Sequence, residues 1–243
     1  MLVKTQVKYI QSLSQKKLRD EEGVFVAEGP KIIEELLAAG NTDLVQLYAE
    51  DSWIRQQAFL PQNAVQTVTP AELERISSLQ TPNQVLGIFR KPVFPTGLSL
   101  RNKISLMLDT VQDPGNLGTI VRCADWFGIS TVICSRESAD VFNPKVVQST
   151  MAGIARVRVL YEDLASFLQT HADIPVYAAT LNGTPLPKLG TVKEGILLIG
   201  NESKGISAEL LQMATHKVTI PKIGQAESLN AAVATGIILS HIV

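Results

Sequence analysis

From residue 103 onward, short apolar runs alternate with helix-like segments, and this alternation constrains the fold more than any other feature. The run KISLMLDTV at 103–111 is almost continuously apolar, as expected of a strand buried on both faces. Further strands are predicted at 130–135, 155–161, 174–180, 195–200 and 216–220, separated by helices near 116–127, 144–151, 162–169 and 207–214. The repeated strand–helix order predicts an α/β fold, a parallel sheet with helices on both faces.

The N-terminal part of the chain has a smaller pattern of the same kind. Strands are predicted at 24–29, 43–50, 64–68 and 84–90, and helices within 1–22 and at 30–40, 51–59 and 70–78. The stretch KPVFPTGLSLRN at 91–102 contains two prolines and a glycine, which is typical of a linker. The chain is therefore predicted to form a small α/β domain at 1–95 and a larger domain at 96–243.

The stretch IPKIGQAESLNAAVA at 220–234 combines a strand end, a loop and the start of an unusually apolar helix. Pro221 lacks the N–H that strand pairing needs, so the strand should stop there. Ser228 is predicted to cap a helix over 229–243. This helix has no clear polar face, and we therefore expect it to be buried on most sides.

Composition excludes several classes of function. The formal net charge is −1, so no overall positive field attracts nucleic acid, and any such binding must use local patches. Cys123 and Cys134 lack metal-ligand spacing and there are only three histidines, so no metal site is expected. Reduced thiols, no signal peptide and no apolar run of the roughly 20 residues that a membrane helix needs predict a cytoplasmic protein without a membrane partner.

The usual nucleotide-binding signatures are absent. No two glycines are spaced G-x-G, which excludes the dinucleotide fingerprint and the glycine-rich turn of common methyltransferases. Lys204-Gly205 has the wrong order for a P-loop. Because ligands of parallel α/β sheets bind at the carboxyl ends of the strands, the loops there are the candidates for a site.

Three such loops carry chemistry-bearing residues, and each also has a purely structural reading. In 108–128, helix N–H groups near Asn116 suit an anion and Arg122 follows on the helix, or else Asn116 is only a cap and Arg122 a surface cation. In 196–207, Gly200 permits close backbone approach and Glu202 follows it, or else Glu202 caps the next helix. In 220–230, apolar and polar residues form a slot, or else only a turn and an N-cap.

Taken in order, these loops resemble the three motifs of a known family. NxGxxxR at 116–122, GNExxG at 200–205 and IP-x(6)-SLN at 220–230 each follow a strand and are similar to those of the SpoU (TrmH-type) RNA 2′-O-ribose methyltransferases of the SPOUT superfamily. KYIQSLSQKKLRDEEGVFVAEGPKIIEELL at 8–37 and LGIFRKP at 86–92 resemble the family's N-terminal, ribosomal protein L30e-like substrate-binding domain. The resemblance covers nearly the whole chain.

The resemblance implies a deep trefoil knot through which the last helix passes, a homodimer, and S-adenosylmethionine bound by the knot loops. The implied reaction is methyl transfer to a ribose 2′-hydroxyl of structured RNA, with rRNA favoured over tRNA. The implied cofactor-binding residues are Thr180, Leu181, Asn182, Gly200, Asn201, Gly205, Ile220 and Leu229. The implied catalytic residues are Arg122, as an electrostatic clamp, with Asn116, Glu202, Ser228 and Asn230, Glu202 positioning the arginine.

Local basic residues are the candidates for RNA phosphate contacts. The predicted RNA-binding residues are Lys8, Lys16, Lys17, Arg19 and Lys145, and further basic residues of the same kind are Lys4, Lys31, Arg90 and Lys91. The alternative for the first cluster is a solvated helix face, since the acidic residues 20–22 follow it. Gln148, Lys222 and Ala232 depart from the family's usual arginine, methionine and serine.

Two other classes of function compete with this reading. An RNA-binding or ribosome-assembly factor could keep the fold without turnover, although Arg122 and Asn230 are both retained. An unrelated doubly wound enzyme acting on a nucleotide or small metabolite is disfavoured by the missing G-x-G spacing.

Overall fold

The computed structural model describes residues 1–58 and 60–243, which form two compact units. The first unit contains Met1–Phe94 and Phe142–Ala155, and the second contains Pro95–Val141 and Arg156–Val243. The first boundary falls inside the predicted linker at 91–102. The segment Phe142–Ala155 belongs by its contacts to the first unit, although the sequence around it belongs to the second.

The first unit is a four-stranded mixed sheet with helices. Its strands are β1 (Val24–Glu28), β2 (Leu44–Ala49), β3 (Val65–Thr67) and β4 (Val85–Arg90), in the order β1-β4-β2-β3. Its helices are α1 (Lys4–Ser12), α2 (Lys16–Glu22), α3 (Pro30–Ala39), α4 (Asp51–Ile54), α5 (Pro70–Ile76) and α7 (Pro144–Thr150). The helix predicted over 51–59 is shorter than expected, and its predicted last residue lies outside the described residues.

The second unit is the larger α/β unit. Its strands are β5 (Ile104–Leu108), β6 (Thr131–Ser135), β7 (Arg158–Glu162), β8 (Val176–Pro185), β9 (Gly195–Ile199) and β10 (His216–Thr219). Its helices are α6 (Pro114–Trp126), α8 (Leu164–Thr170), α9 (Ala208–Met213) and α10 (Ala231–Ile242), with a short 3-10 turn at Leu186–Lys188.

The predicted parallel sheet is confirmed. Its strand order is β10-β8-β9-β5-β6-β7, and every neighbouring pair is parallel. All residues of β6 and β9 are buried, which explains why these segments are apolar without alternation. Met107, Ile133 and Leu198 join apolar residues of α8 and α9 in one core cluster. The order places β5 and β9 side by side near the centre, so their carboxyl ends adjoin.

The terminal helix α10 begins later than predicted. Asn230, not Ser228, is its N-cap, because the Asn230 Oδ1 atom accepts hydrogen bonds from Ala232 N (2.9 Å) and Val233 N (3.2 Å). The helix packs against α6 and the turn at Leu186–Lys188.

The burial expected of α10 is only partly observed. Ile238, Leu239 and Ile242 are buried, whereas Val233 keeps 51% of its surface exposed. The carbonyl of Ile242 accepts a hydrogen bond from Val192 N (2.8 Å), which ties the end of the helix to the β8–β9 connection. The trefoil knot itself stays a prediction. None of the helices described in 1–58 and 60–243 is both long and apolar enough to cross a bilayer.

Candidate active site

Three segments at the carboxyl edge of the larger sheet enclose one cleft of about 1140 Å³. They are residues 179–182 of β8, residues 199–206 from the last residue of β9 onward, and residues 217–231, which run from β10 to the start of α10. The structure brings together around this cleft all the predicted cofactor-binding residues: Thr180, Leu181, Asn182, Gly200, Asn201, Gly205, Ile220 and Leu229. Two predicted catalytic residues, Glu202 and Ser228, also line it.

The first wall of the cleft is a bulge within β8. Ala178 pairs with Lys217, but the next residue of β10, Val218, pairs with Thr184, so residues 179–183 leave the ladder. A Cβ atom at Gly183 would lie 2.6 Å from the Lys217 backbone, so glycine is what allows this close approach. The strand therefore does not end near 180–182 as expected; it bulges there and continues to Pro185.

The second wall is a tight turn after β9. Asn201 and Gly205 form a two-way backbone bridge, with N···O distances of 3.0 and 2.9 Å. A Cβ atom at Gly200 would lie 2.3 Å from the Gly205 carbonyl carbon and 2.4 Å from Ile206 N. Glycine at position 200 therefore lets the turn fold back closely on itself, and because Gly200 lines the cleft, the wall there consists of backbone.

A chain of amide and carboxylate hydrogen bonds joins the three motif loops. The Asp113 side chain caps α6 by accepting from Asn116 N (2.8 Å), which leaves the Asn116 side chain free for other partners. Asn116 Nδ2 donates to Glu202 Oε1 (2.5 Å), and Asn116 Oδ1 accepts from Asn230 Nδ2 (2.8 Å). These contacts place Asn116, Glu202 and Asn230 in one polar cluster, in which Asn116 and Glu202 are half-buried and Asn230 is exposed.

The structure excludes two of the purely structural roles that the sequence left open for Asn116 and Glu202. Asn116 is not the cap of α6, since Asp113 has that role. Glu202 does not cap α9, whose N-cap residue is Ser207. Glu202 contacts Asn116 rather than the predicted partner, Arg122.

Arg122 lies outside the cleft. It is on the exposed side of α6, one turn before Trp126, which keeps 84% of its surface exposed. Within the described part of the chain, its guanidinium has no hydrogen bond or ion pair. A single chain therefore brings the predicted cofactor-binding residues and the amide–carboxylate cluster together but leaves the predicted catalytic cation on its surface.

The two cysteines are not arranged for nucleophilic chemistry. Burial raises the pKa of the Cys134 thiol to about 12, and burial also raises the pKa of the Cys123 thiol against the opposing effect of Arg122. Both thiols are therefore protonated near neutral pH, and a thiol is a much weaker nucleophile than a thiolate. Among residues 1–58 and 60–243, no group of His, Cys, Asp and Glu is placed to hold a metal ion.

The four lysines predicted to bind RNA are all exposed, but two of them are paired with acidic side chains. Lys8 and Lys145 are exposed. Lys16 and Lys17 are exposed but form i,i+4 ion pairs with Asp20 and Glu21.

The prediction that Arg19 contacts RNA is wrong. Its side chain is 1% exposed, so no phosphate can reach it. Its Nη1 atom donates to the carbonyls of Leu13 and Ser14, each at 2.7 Å, and so supports the turn between α1 and α2. The spacing of the basic residues does not distinguish Arg19, which is buried, from the exposed lysines before it.

Sequence reasoning missed part of the cleft lining. Lys204, Lys217 and Lys222 are exposed and line the cleft. Apolar residues complete it: Ile206, Leu211, Ala234 and Ile238. The lysines lie within or close to the motifs in the sequence, and this position could have identified them as cleft residues. Which residues of α10 face the cleft depends on how the helix packs, and the sequence does not show that.

Comparisons with known proteins show the family to which the chain belongs. The family model of the SpoU rRNA Methylase family matches residues 103–240, and that of the MRM3-like substrate binding domain matches residues 4–87. The chain is 31% identical over 241 residues to the 23S rRNA (guanosine(2553)-2′-O)-methyltransferase RlmP of Bacillus subtilis (strain 168), covering 97% of this chain and 95% of that protein.

Solved structures give the same assignment. A putative RNA methyltransferase of the TrmH family from Porphyromonas gingivalis superposes with a TM-score of 0.86 at 37% identity, covering 99% of this chain and 98% of that one. An AdoMet-bound rRNA methyltransferase from Sinorhizobium meliloti superposes with a TM-score of 0.88 at 32% identity, covering 99% and 95%. The larger unit has the fold of these methyltransferases, and the chain belongs to the SpoU rRNA methylase family.

Proposed function

We propose that this protein is an S-adenosylmethionine-dependent RNA methyltransferase that modifies a ribose 2′-hydroxyl of rRNA. The observation that carries the proposal is that the second and third family motifs line one cleft, while Asn116 of the first motif is hydrogen-bonded to Glu202 and Asn230 of the other two. A shared fold alone does not imply function, and it is this combination of residues that supports the proposal.

The cleft fits the cofactor. Small-molecule sites combine apolar walls with a few placed polar groups, and here Ile220 and Leu229 supply apolar surface beside the bare backbone at Gly200. The exposed backbone can pair with the polar edge of a purine, and the apolar residues can cover its faces. When bound, S-adenosylmethionine supplies an electrophilic methyl group. The Asn116–Glu202–Asn230 cluster lies at the same edge of the sheet.

The remaining chemistry is activation of the ribose. A 2′-hydroxyl is a poor nucleophile near neutral pH, so the site must stabilise the oxygen as its proton leaves. An arginine stays protonated in proteins, so Arg122 acts as an electrostatic clamp on the 2′-oxygen and the adjacent phosphate, which can take up the proton. Asn116 and Asn230 orient the ribose through their amides, and Ser228 adds a hydroxyl to the polar wall.

The position of Arg122 supports a homodimer. Arg122 is exposed outside the cleft, and apolar surface lies beside it at Trp126 on α6 and at Val233 on α10, the helix packed against α6. A second copy covering this face would bury the apolar side chains and could bring its Arg122 to the cleft. A two-fold dimer would complete both sites by the same contact.

RNA is expected to reach the cleft across its lysine rim, which we define as Lys204, Lys217 and Lys222. The three ammonium groups are exposed, and within residues 1–58 and 60–243 none has an ion pair. Two carboxylates also line the cleft, but Glu202 is bonded to Asn116 and only Glu227 remains to offset the lysines.

The smaller domain at 1–95 is proposed to bind the substrate through Lys8 and its neighbours, and the larger domain at 96–243 to catalyse transfer.

Replacing the lysine rim with glutamine should weaken RNA binding without weakening S-adenosylmethionine binding. Each lost phosphate contact lowers the slope of log affinity against log salt by about 0.7 for single-stranded RNA. Filter binding at several salt concentrations measures this slope. The control is Lys103→Gln, which removes an exposed lysine at the amino end of β5, the opposite edge of the sheet. Equal slopes for the rim variant and the control would contradict the proposal.

The function is tested by offering the purified protein methyl-labelled S-adenosylmethionine with rRNA or tRNA. We expect label in rRNA and little in tRNA, as the named relatives act on rRNA. The second hypothesis, an RNA-binding or assembly factor of the same fold, predicts RNA binding without label transfer. The two cysteines are free, which agrees with the cytoplasmic location that we propose.

A further inference from the structure

The turn after β5 contains a residue in an unusual backbone conformation. Thr110 has φ = 57°, in the left-handed region that β-branched residues rarely occupy. Three hydrogen bonds hold it there: its N–H donates to Ser135 Oγ (3.0 Å), its Oγ1 donates to Asp109 Oδ1 (2.9 Å), and its carbonyl accepts from Asn201 Nδ2 (2.8 Å). Backbone outliers of this kind cluster at functional sites, where surrounding contacts maintain them.

The other end of the Asn201 amide organises the turn after β9. Asn201 Oδ1 accepts hydrogen bonds from Ser203 N (2.9 Å) and Lys204 N (3.0 Å). The backbone of Asn201 is bridged to Gly205. Both polar atoms of this side chain are therefore engaged inside the protein, and only the second proton of Nδ2 is left to donate to a ligand.

A second bond ties the same two segments together. Asp109, which is 7% exposed, accepts from Ser207 N (2.7 Å) through Oδ2. The segment 201–207 is thus held to residues 109–110 at both of its ends. Within that segment lie Glu202, bonded to Asn116, and next to it Gly200, whose backbone faces the cleft.

We propose that Asn201 is a positioning residue: its amide fastens the 200–207 turn to the carbonyl of Thr110 and so fixes the cofactor wall at Gly200 and the carboxylate of Glu202. This inference rests on the proposed function for its effect on the reaction. The left-handed conformation of Thr110 directs its carbonyl toward Asn201. We name this pair of residues the Thr110–Asn201 clamp.

The variant Asn201→Asp tests the clamp because it keeps the shape of the side chain. An ionised carboxylate cannot donate to the Thr110 carbonyl, so S-adenosylmethionine affinity should fall about tenfold near pH 8. The acceptor for the N–H groups of Ser203 and Lys204 is kept, and because these two donors favour the ionised carboxylate, the loss should persist from pH 8 down to about pH 5. A general folding defect would also weaken RNA binding, which should stay at the wild-type value in this variant. Undiminished S-adenosylmethionine affinity over this pH range would overturn the positioning role.

The measurement is calorimetric titration with S-adenosylmethionine across this pH range. The titratable groups near position 201 are Asp109, Glu202 and Lys204, which the wild type shares, so its own profile supplies the correction. Asn83→Asp, an exposed asparagine of the first unit, is the control for the added charge and should follow the wild type at every pH.

Amide hydrogen exchange tests the clamp independently of the proposed function. Asn201→Asp keeps the acceptor for Ser203 and Lys204 but loses the donor to Thr110, so the backbone amides of Gly205 and Ser207 should exchange faster than in the wild type, with or without cofactor. Unchanged exchange would overturn the clamp whether or not the protein binds S-adenosylmethionine. Faster exchange in a protein whose wild type does not bind the cofactor would support the clamp and contradict the proposed function.

Discussion

Replacing Gly200 with alanine is expected to lower the affinity for S-adenosylmethionine about 10- to 100-fold. The new methyl group would lie 2.3–2.5 Å from backbone atoms of Gly205 and Ile206, so the turn must move. Forced backbone shifts of this kind cost about 1–3 kcal/mol, and if cofactor binding must restore the turn, that cost appears in the affinity. Calorimetric titration of the purified variant measures the effect.

The matched control is Gly224→Ala. Gly224 lines the same cleft, but a Cβ atom there would meet nothing within 4 Å, and its backbone is not in the left-handed region. This variant should bind S-adenosylmethionine as the wild type does. Undiminished affinity in Gly200→Ala would show that the cofactor does not use this wall. Equal losses of affinity in both variants would show that the close backbone contact at Gly200 is not the cause of the effect.

Replacing Arg122 with alanine should lower the rate of methyl transfer about 100- to 1000-fold, the usual effect of removing one group that stabilises a developing oxyanion. The affinity for S-adenosylmethionine should stay at the wild-type value, because Arg122 does not line the cleft. Single-turnover transfer to saturating RNA measures the rate, and titration measures the affinity. Loss of cofactor binding would show that the arginine has a different role.

Two controls accompany the arginine variant. Arg55→Ala removes an exposed arginine whose recorded partner is Asp51 in the same helical turn, and it should transfer methyl groups normally. At an S-adenosylmethionine concentration that saturates wild-type sites but leaves Gly200→Ala sites nearly empty, mixing and reassociating Arg122→Ala with Gly200→Ala should restore about a quarter of wild-type activity if each site uses Arg122 from the partner chain of a two-fold dimer. No recovery in a mixture of confirmed dimers would place Arg122 and the cofactor of one site in the same chain.

The sheet was predictable because its signal is local. Each of β5, β6 and β9 is a short apolar run bounded by turn residues, and burial on both faces is the reason for that composition. The cleft was predictable for a related reason. Gly200 and Gly205 are required by backbone geometry that tolerates no side chain or favours positive φ, and such positions leave a visible pattern in the sequence.

Several details of the site depend on contacts that the sequence does not display. Ser228 and Asn230 are both good N-cap residues, and only the packed position of α10 decides that Asn230 has the role. The bulge in β8 depends on how β10 approaches Gly183. The burial of Arg19 depends on the turn between α1 and α2, whose carbonyls accept its hydrogen bonds.

The Thr110–Asn201 clamp shows the same limit more sharply. Threonine is among the residues least expected in the left-handed region, so local preference predicts the opposite conformation. The conformation is stabilised by Ser135 and Asn201, which are distant in sequence and meet Thr110 only because β6 and β9 flank β5. The backbone preference of threonine is therefore overridden at Thr110, where β5, β6 and β9 end side by side next to the cleft.

The most direct test of the central claim is to locate the transferred methyl group in rRNA. A 2′-O-methyl group removes the hydroxyl that attacks the adjacent phosphate in alkali, so that one linkage resists hydrolysis. After transfer from methyl-labelled S-adenosylmethionine, we predict that alkaline hydrolysis leaves the label in dinucleotides, and that Arg122→Ala yields almost none. Label in mononucleotides would place the methyl group on a base and would contradict the account.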